Sequence, residues 1–385
     1  MTIDEDDNLW VALYGGGAVI KVDSSNILFV TTSRYSLTEE EKQQQPAAGA
    51  VFAVIGLDTK GLPMYDVDLV NSNNFDGPAL YQITEPVTHA ECPSWDGRNN
   101  ILYYVDVHAG KMFSYDYTNK EITSITLEGA VSPVVQSKSD PDLFIVGLDR
   151  SIVAVKWNRE DGNYTTRTLA TVSDDQPDCN MNDGKADKEG RIWYGTMDQD
   201  ADTVNHPNRG KLFRVTRDHV STPEEIISPV NVSNGMAWNK ANDKFYYIDS
   251  PTQQIAEYDY DNENGEISNR RVAFELKDHD LNASPDGMTI DVDDNLWVAL
   301  YGGGSVIKVN PTTGELLDRF PIPAESVTSV MWGGPDLDIL FVTTSRIGLS
   351  DDQIMKQPGA GSVFALTNLG TSGLPVFEAD IIDNI

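Results

Sequence analysis

Cysteine is nearly absent from this chain: Cys92 and Cys179 are the two among 385 residues. That excludes a disulfide framework and suits a reducing compartment. Positive charge is scarce as well, with 28 Lys and Arg against 60 Asp and Glu and a formal charge of -32. Nucleic acid and anionic membrane would be repelled by such a surface, so neither is expected as a partner. No apolar run approaches the length of a membrane span, and the first residues carry neither the charged nor the apolar region of a secretion signal. The expectation is a cytoplasmic monomer. Helical periodicity is sparse too, and residues 349–356 are the one stretch that reads as a short helix.

What the chain has instead is repetition. Residues 1–22 match residues 288–309 at all but two positions, Glu5 for Val292 and Ala18 for Ser305. The repeated stretch reads as a strand, an acidic turn at Asp293-Asp294-Asn295 and a second strand ending in three glycines. Looser copies share a register. With Asp286 as position zero, Asp291 lies five residues on and Trp297 eleven on. Asn234, Asn182 and Glu91 start equivalent units, and Pro133 and Ser329 start two fainter ones, at spacings of 42 to 52 residues. Each unit continues with alternating strands such as Lys211-Leu-Phe-Arg-Val-Thr and Ser305-Val-Ile-Lys-Val-Asn.

Four antiparallel strands repeated at this period predict an all-β fold, a six-bladed β-propeller. Ala79-Leu-Tyr-Gln-Ile-Thr is expected to close the ring as the outer strand of the blade that starts at Ser329. The propeller then spans residues 78–385. Residues 1–77 are left as a partial N-terminal duplicate of the last two blades, a truncated tandem copy without a counterpart of Asp286.

The zero positions begin the innermost strands, which converge on one mouth of the central channel. Four carry oxygen: Glu91, Asn182, Asn234 and Asp286. Taken singly, Asn182-Asp-Gly, Asn234-Gly and Pro285-Asp-Gly are turn signals. Taken together, two carboxylates and two amides around one axis suit a hard cation. Zinc of the structural kind is not expected, because no His or Cys stands at a zero position. Trp95, Trp193, Trp238, Trp297 and Trp332 follow the blade register and read as core. His89 lies near Glu91, and the two cysteines are expected near each other beside the channel.

Ala90-Glu-Cys-Pro-Ser-Trp-Asp96, Asn182-Asp-Gly-Lys-Ala-Asp187 with Gly195-Thr-Met197, Ser233-Asn-Gly-Met-Ala-Trp238 and Ser284-Pro-Asp-Gly-Met288 resemble the family of regucalcin (senescence marker protein), gluconolactonase and luciferin-regenerating enzyme. The resemblance covers about residue 80 to 385. It implies a six-bladed propeller with one divalent metal ion, calcium, zinc, manganese or magnesium, held by Glu91, Asn234 and Asp286. It also implies Asp286 as general base, and Asn182, Asn180 and Asp200 as substrate contacts. Asn180 replaces an Arg of the vertebrate regucalcins, and Asp200 is one methylene shorter than the acidic residue of the family. The activity implied is hydrolysis of a small-molecule sugar lactone. The alternatives are a non-catalytic calcium-binding regulatory protein of the regucalcin type, and a scaffold that has lost activity.

Overall fold

Period-two alternation with turn residues every few positions is realised as six four-stranded antiparallel sheets arranged as a β-propeller. The computed structural model describes residues 77–198 and 208–384, together with five short strands before them. The chain divides into two compact units, Met1–Ser72 and Asn73–Ile385. In the first, Thr2–Ile3, Leu9–Ala12 and Val19–Val22 form one sheet, and Leu28–Thr31 pairs with Val51–Val54. The rest of residues 1–76, on which the expected partial duplicate depends, lies outside the described residues.

In the second unit the innermost strands are Ala90–Asp96, Val131–Gln136, Cys179–Ala186, Ser233–Trp238, Ser284–Ile290 and Ser326–Gly333. Burial falls outward from the axis. Every residue of Ala90–Asp96 is buried, whereas most of Tyr164–Thr171, an outermost strand, is exposed. An inner strand lies between two neighbouring sheets and buries both faces, while an outer strand is a solvated edge. The ring closes as expected. Ala79–Gln82 pairs antiparallel with Val363–Thr367, Tyr81 opposite Ala365, so the two ends of the domain share the sixth blade.

In the third and fifth blades an acidic turn fastens the blade to itself. Asp187 Oδ1 accepts from the amides of Glu189 and Arg191, and its Oδ2 accepts from Trp193 Nε1 at 3.0 Å. Asp291 repeats the device with Asp293 N, Asn295 N and Trp297 Nε1. The residue five past zero thus shapes the turn and binds the indole eleven past zero, which explains their recurrence together. The indoles then pack between blades, Trp193 on Trp238 at 5.9 Å and Trp297 on Trp332 at 5.1 Å between ring centroids. Asp351–Lys356 is the one α-helix among the described residues, started by a Ser350–Gln353 capping box. No helix among them is long and apolar enough to cross a membrane.

Candidate functional site

The candidate residues stand where the inner strands break register. Pairing with the second strand slips between Glu91 and Ser94, Met181 and Gly184, Ser233 and Met236, and Pro285 and Met288. Asn182, Asp183, Asn234 and Asp286 are therefore bulge residues, and Glu91 is the last paired residue before a bulge. A bulge leaves an unpaired residue whose side chain is re-aimed, which is why bulges accompany sites. Asn182-Asp-Gly, Asn234-Gly and Asp286-Gly, turn signals when taken singly, lie within the innermost strands as the shared register predicted. Their glycines serve close approach between blades. A Cβ on Gly235 would meet the Asp286 backbone, and one on Gly287 would meet Ser329. Cys92, between the Glu91 position and the rest of its strand, adopts φ +46°. Such backbone in a non-glycine residue persists where surrounding contacts impose it.

Glu91, Asn234 and Asp286 come together at the end of the channel where the inner strands begin. All three are buried. Glu91 Oε2 accepts from Cys92 N at 2.6 Å. The Asn234 amide donates to Ser250 Oγ at 3.0 Å and to the Asp286 carboxylate. Ser250 Oγ donates in turn to Pro285 O at 2.7 Å, tying the fourth blade to the fifth. Burial pushes the Asp286 carboxyl well above its ordinary range, and the charges of Glu91 and Asp183 add to the push. Glu91 is raised for the same reasons, burial first and Asp183 second. Asn182 is held nearby, its Nδ2 on Ser233 O at 2.9 Å.

This arrangement fits a hard cation. Two buried carboxylates from different blades repel each other, and the charge of Asp183 adds to the push on both. A divalent ion supplies the missing positive charge, and an amide oxygen is an ordinary third donor. Among the described residues no group of three or more His, Cys, Asp or Glu is arranged to hold a metal. Any coordination here thus depends on Asn234 and on solvent or substrate oxygens.

The other end of the channel is closed. Residues 372–380 leave the sixth blade and cross beneath the ring. Ser372 O accepts from Val292 N, Ala379 exchanges hydrogen bonds with Gln136 and Lys138, and Asp380 N donates to Gly190 O. Between these anchors Leu374, Val376 and Phe377 floor an axial cavity of about 80 Å³. Every blade lines it, through Ser94, Val134, Asp183, Met236, Thr289 and Ser329.

The remaining expectations fared unevenly. Asn180 is half-buried and pairs with Met197 in the same blade. Asp200 lies outside the described residues. His89 Nδ1 bonds Ser345 Oγ at 2.7 Å, at the seam between the first and sixth blades. The cysteines do not pair. Cys92 Sγ bonds Ser132 Oγ at 3.1 Å, and Cys179 Sγ reaches Arg209 O at 3.4 Å. Sequence reasoning missed Asp183 and Lys185. Asp183 and Lys185 were in view within Asn182-Asp-Gly-Lys, but a turn reading sends both to solvent.

Comparison with known proteins shows the family. Residues 89–346 match the family described as SMP-30/Gluconolactonase/LRE-like region, a span that contains all four candidate positions. The chain belongs to that family. Regucalcin of Bos taurus is 36% identical over 288 residues, 74% of this chain and 93% of the relative. A luciferin-regenerating enzyme superposes with a TM-score of 0.75 at 34% identity, covering 79% of this chain and 100% of the other. The calcium-binding protein regucalcin of Agrobacterium tumefaciens shares the fold, with a TM-score of 0.69 at 20% identity over 78% of this chain and 96% of its own.

Proposed function

We propose that this protein is a metal-dependent lactonase that opens sugar lactones, with Glu91, Asn234 and Asp286 holding one divalent ion. What supports the reading is the convergence of two buried carboxylates and an oriented amide at the open end of a channel closed at its far end. The family, which includes gluconolactonases, supports the substrate class.

When bound, the ion polarises the lactone carbonyl and makes water easier to deprotonate. Asp286 is the general base: its carboxylate takes a proton from the water that attacks the carbonyl carbon. The acyl C–O bond of the ring then breaks, and Asp286 returns the proton to the ring oxygen, which leaves as the hydroxyl of the open acid. Glu91 remains a pure ligand, its second bond fixed by Cys92 N. Asn182, its NH₂ held by Ser233 O, offers its carbonyl oxygen to a substrate hydroxyl. Asn180 and Asp200 are further substrate contacts in this reading.

The test is hydrolysis of a panel of five- and six-membered aldonolactones by the full chain loaded with calcium, zinc, manganese or magnesium. Turnover lost on chelation and restored by metal supports the lactonase. A second reading, a calcium-binding regulatory protein without turnover, draws on the regucalcin relatives. Tight calcium binding with no hydrolysis across the panel selects it.

A further inference from the structure

We propose that the closed end of the channel is a second ligand site, one that takes a short-chain carboxylate of the size of butyrate. Lys185 and neighbouring hydroxyls hold its oxygens, and the floor receives its hydrocarbon tail. The inference is independent of the lactonase reading and of the candidate ion.

Lys185 stands three residues past Asn182 on the innermost strand of the third blade. Ser94 and Thr289 stand three past Glu91 and Asp286 on theirs. The strands run away from the mouth, so these residues lie below the candidate site, and with Ser329 of the sixth blade they line the axial cavity. Lys185 Nζ donates to Met288 O, one of the three hydrogen bonds an ammonium can give, and it enters no ion pair among the described residues. The hydroxyls of Ser94, Thr289 and Ser329 are buried, and none bonds to protein among those residues. Trp238 also lines the cavity; it is 4% exposed and its Nε1 has no acceptor. Asp183 is the one carboxylate on the wall among the described residues, and its Oδ1 is already taken by Gly184 N at 2.6 Å.

A wall that offers hydrogens and is short of acceptors selects a ligand rich in acceptors. An ammonium with donors to spare favours an anion over a neutral acceptor, through charge-assisted hydrogen bonds, and disfavours a second cation. The floor narrows the class further. Leu374, Val376 and Phe377 present hydrocarbon, which water or an inorganic oxyanion leaves unmatched. At about 80 Å³ the cavity has room for several waters, at about 10–15 Å³ each, and so for a molecule of a few non-hydrogen atoms. A carboxylate on a short apolar chain satisfies both ends, and an apolar pocket with a few convergent polar groups is the usual make-up of a small-molecule site.

Calorimetric titration of the full chain with butyrate tests this, in chelator and again with calcium, so that the outcome does not hang on the candidate cation site. Butyrate is expected to bind at one site per chain with a dissociation constant of about 1 mM or tighter. Butyramide keeps the shape without the charge, and formate keeps the charge without the tail. Each is expected to bind at least about tenfold more weakly than butyrate. Lys185→Met should erase the preference for butyrate over butyramide. Leu374→Trp, which fills the cavity from the floor and leaves Lys185 in place, should abolish binding of both. Should either variant fail to fold, the two analogues decide the matter. The proposal is overturned by a parent that shows no saturable butyrate binding, by butyramide or formate bound as tightly as butyrate, or by butyrate binding that survives Leu374→Trp.

Discussion

The two ends of the central channel are built from the same six strands and have opposite chemistry. At the end where the strands begin, bulges project Asn182, Asn234 and Asp286 toward the axis, and polar groups are held by one another. At the end where they finish, the pairing is regular and the C-terminal segment covers the opening with Leu374, Val376 and Phe377. One end concentrates like charge that disfavours folding; the other gathers apolar surface that drives it. The contrast teaches that stability and function are segregated along the axis, so they should respond to different substitutions.

The contrast breaks most severely when the floor is removed. Deleting residues 372–385 exposes the apolar floor and strips off the buried Ala379 and Ile381, which pack in the core between the second and third blades. Full burial of Ile381 and half-burial of Leu374, Val376 and Phe377, with the surface beneath them, is worth several kcal/mol, at about 1.5–3 for a fully buried large side chain and less for the others. Urea denaturation should show a loss of at least about 5 kcal/mol, or no cooperative transition. A truncated chain as stable as the parent means the segment is not a structural floor.

At the other end the balance reverses. Asp286→Asn is expected to cut lactone turnover about 10²- to 10⁴-fold. In chelator its stability should equal or exceed the parent's, because a repelled buried carboxylate is gone. Parent-rate hydrolysis with metal bound refutes the general-base role. Glu91→Gln gives a smaller, sharper signature. Saturating metal should raise the melting temperature of the parent, since an ion bound only by the folded state stabilises it, and the variant should lose most of that shift. Equal shifts in both would separate Glu91 from the ion.

The smallest effect belongs to the outer edge of the floor. Arg217 hydrogen-bonds Asp380 and holds its carboxyl below the ordinary range. A depressed carboxyl stabilises the fold above its unfolded value and loses that contribution as pH falls through the folded one. The pair is largely solvated, so the contribution is small, within about 0–1 kcal/mol. On acid titration Arg217→Ala should therefore lose slightly less stability than the parent as pH falls, while metal affinity stays unchanged. A change in metal affinity would mean that the two ends are coupled after all.

Much of this architecture was legible beforehand for local reasons. Alternation marks strands, the Asp at plus five and Trp at plus eleven bond within one hairpin in the third and fifth blades, and the recurring register of zero positions counts the blades. Even the closing strand Ala79–Gln82 could be named, because a propeller lacks an outer strand wherever its chain begins within a blade. The candidate Glu91, Asn234 and Asp286 were visible as a layer of equivalent positions. Asp183 and Lys185 were not, since turn chemistry and bulge chemistry use the same Asn-Asp-Gly residues.

The sequence by itself determined the period, the strand alternation and the set of oxygen-bearing residues at one register position, all consequences of contacts between residues near in the chain. Only the tertiary structure decided that those positions are bulged toward one axis, that Asp183 and Lys185 share the cavity below them, and that the last residues close its floor. These depend on closing a ring of six sheets. Which side chains then meet across the axis is set by groups some 50 to 200 residues apart, as with Cys92 and Asp183 or Lys185 and Met288, separated by 91 and 103 positions. No local pattern encodes a meeting at that range; it follows from where closure puts the strands.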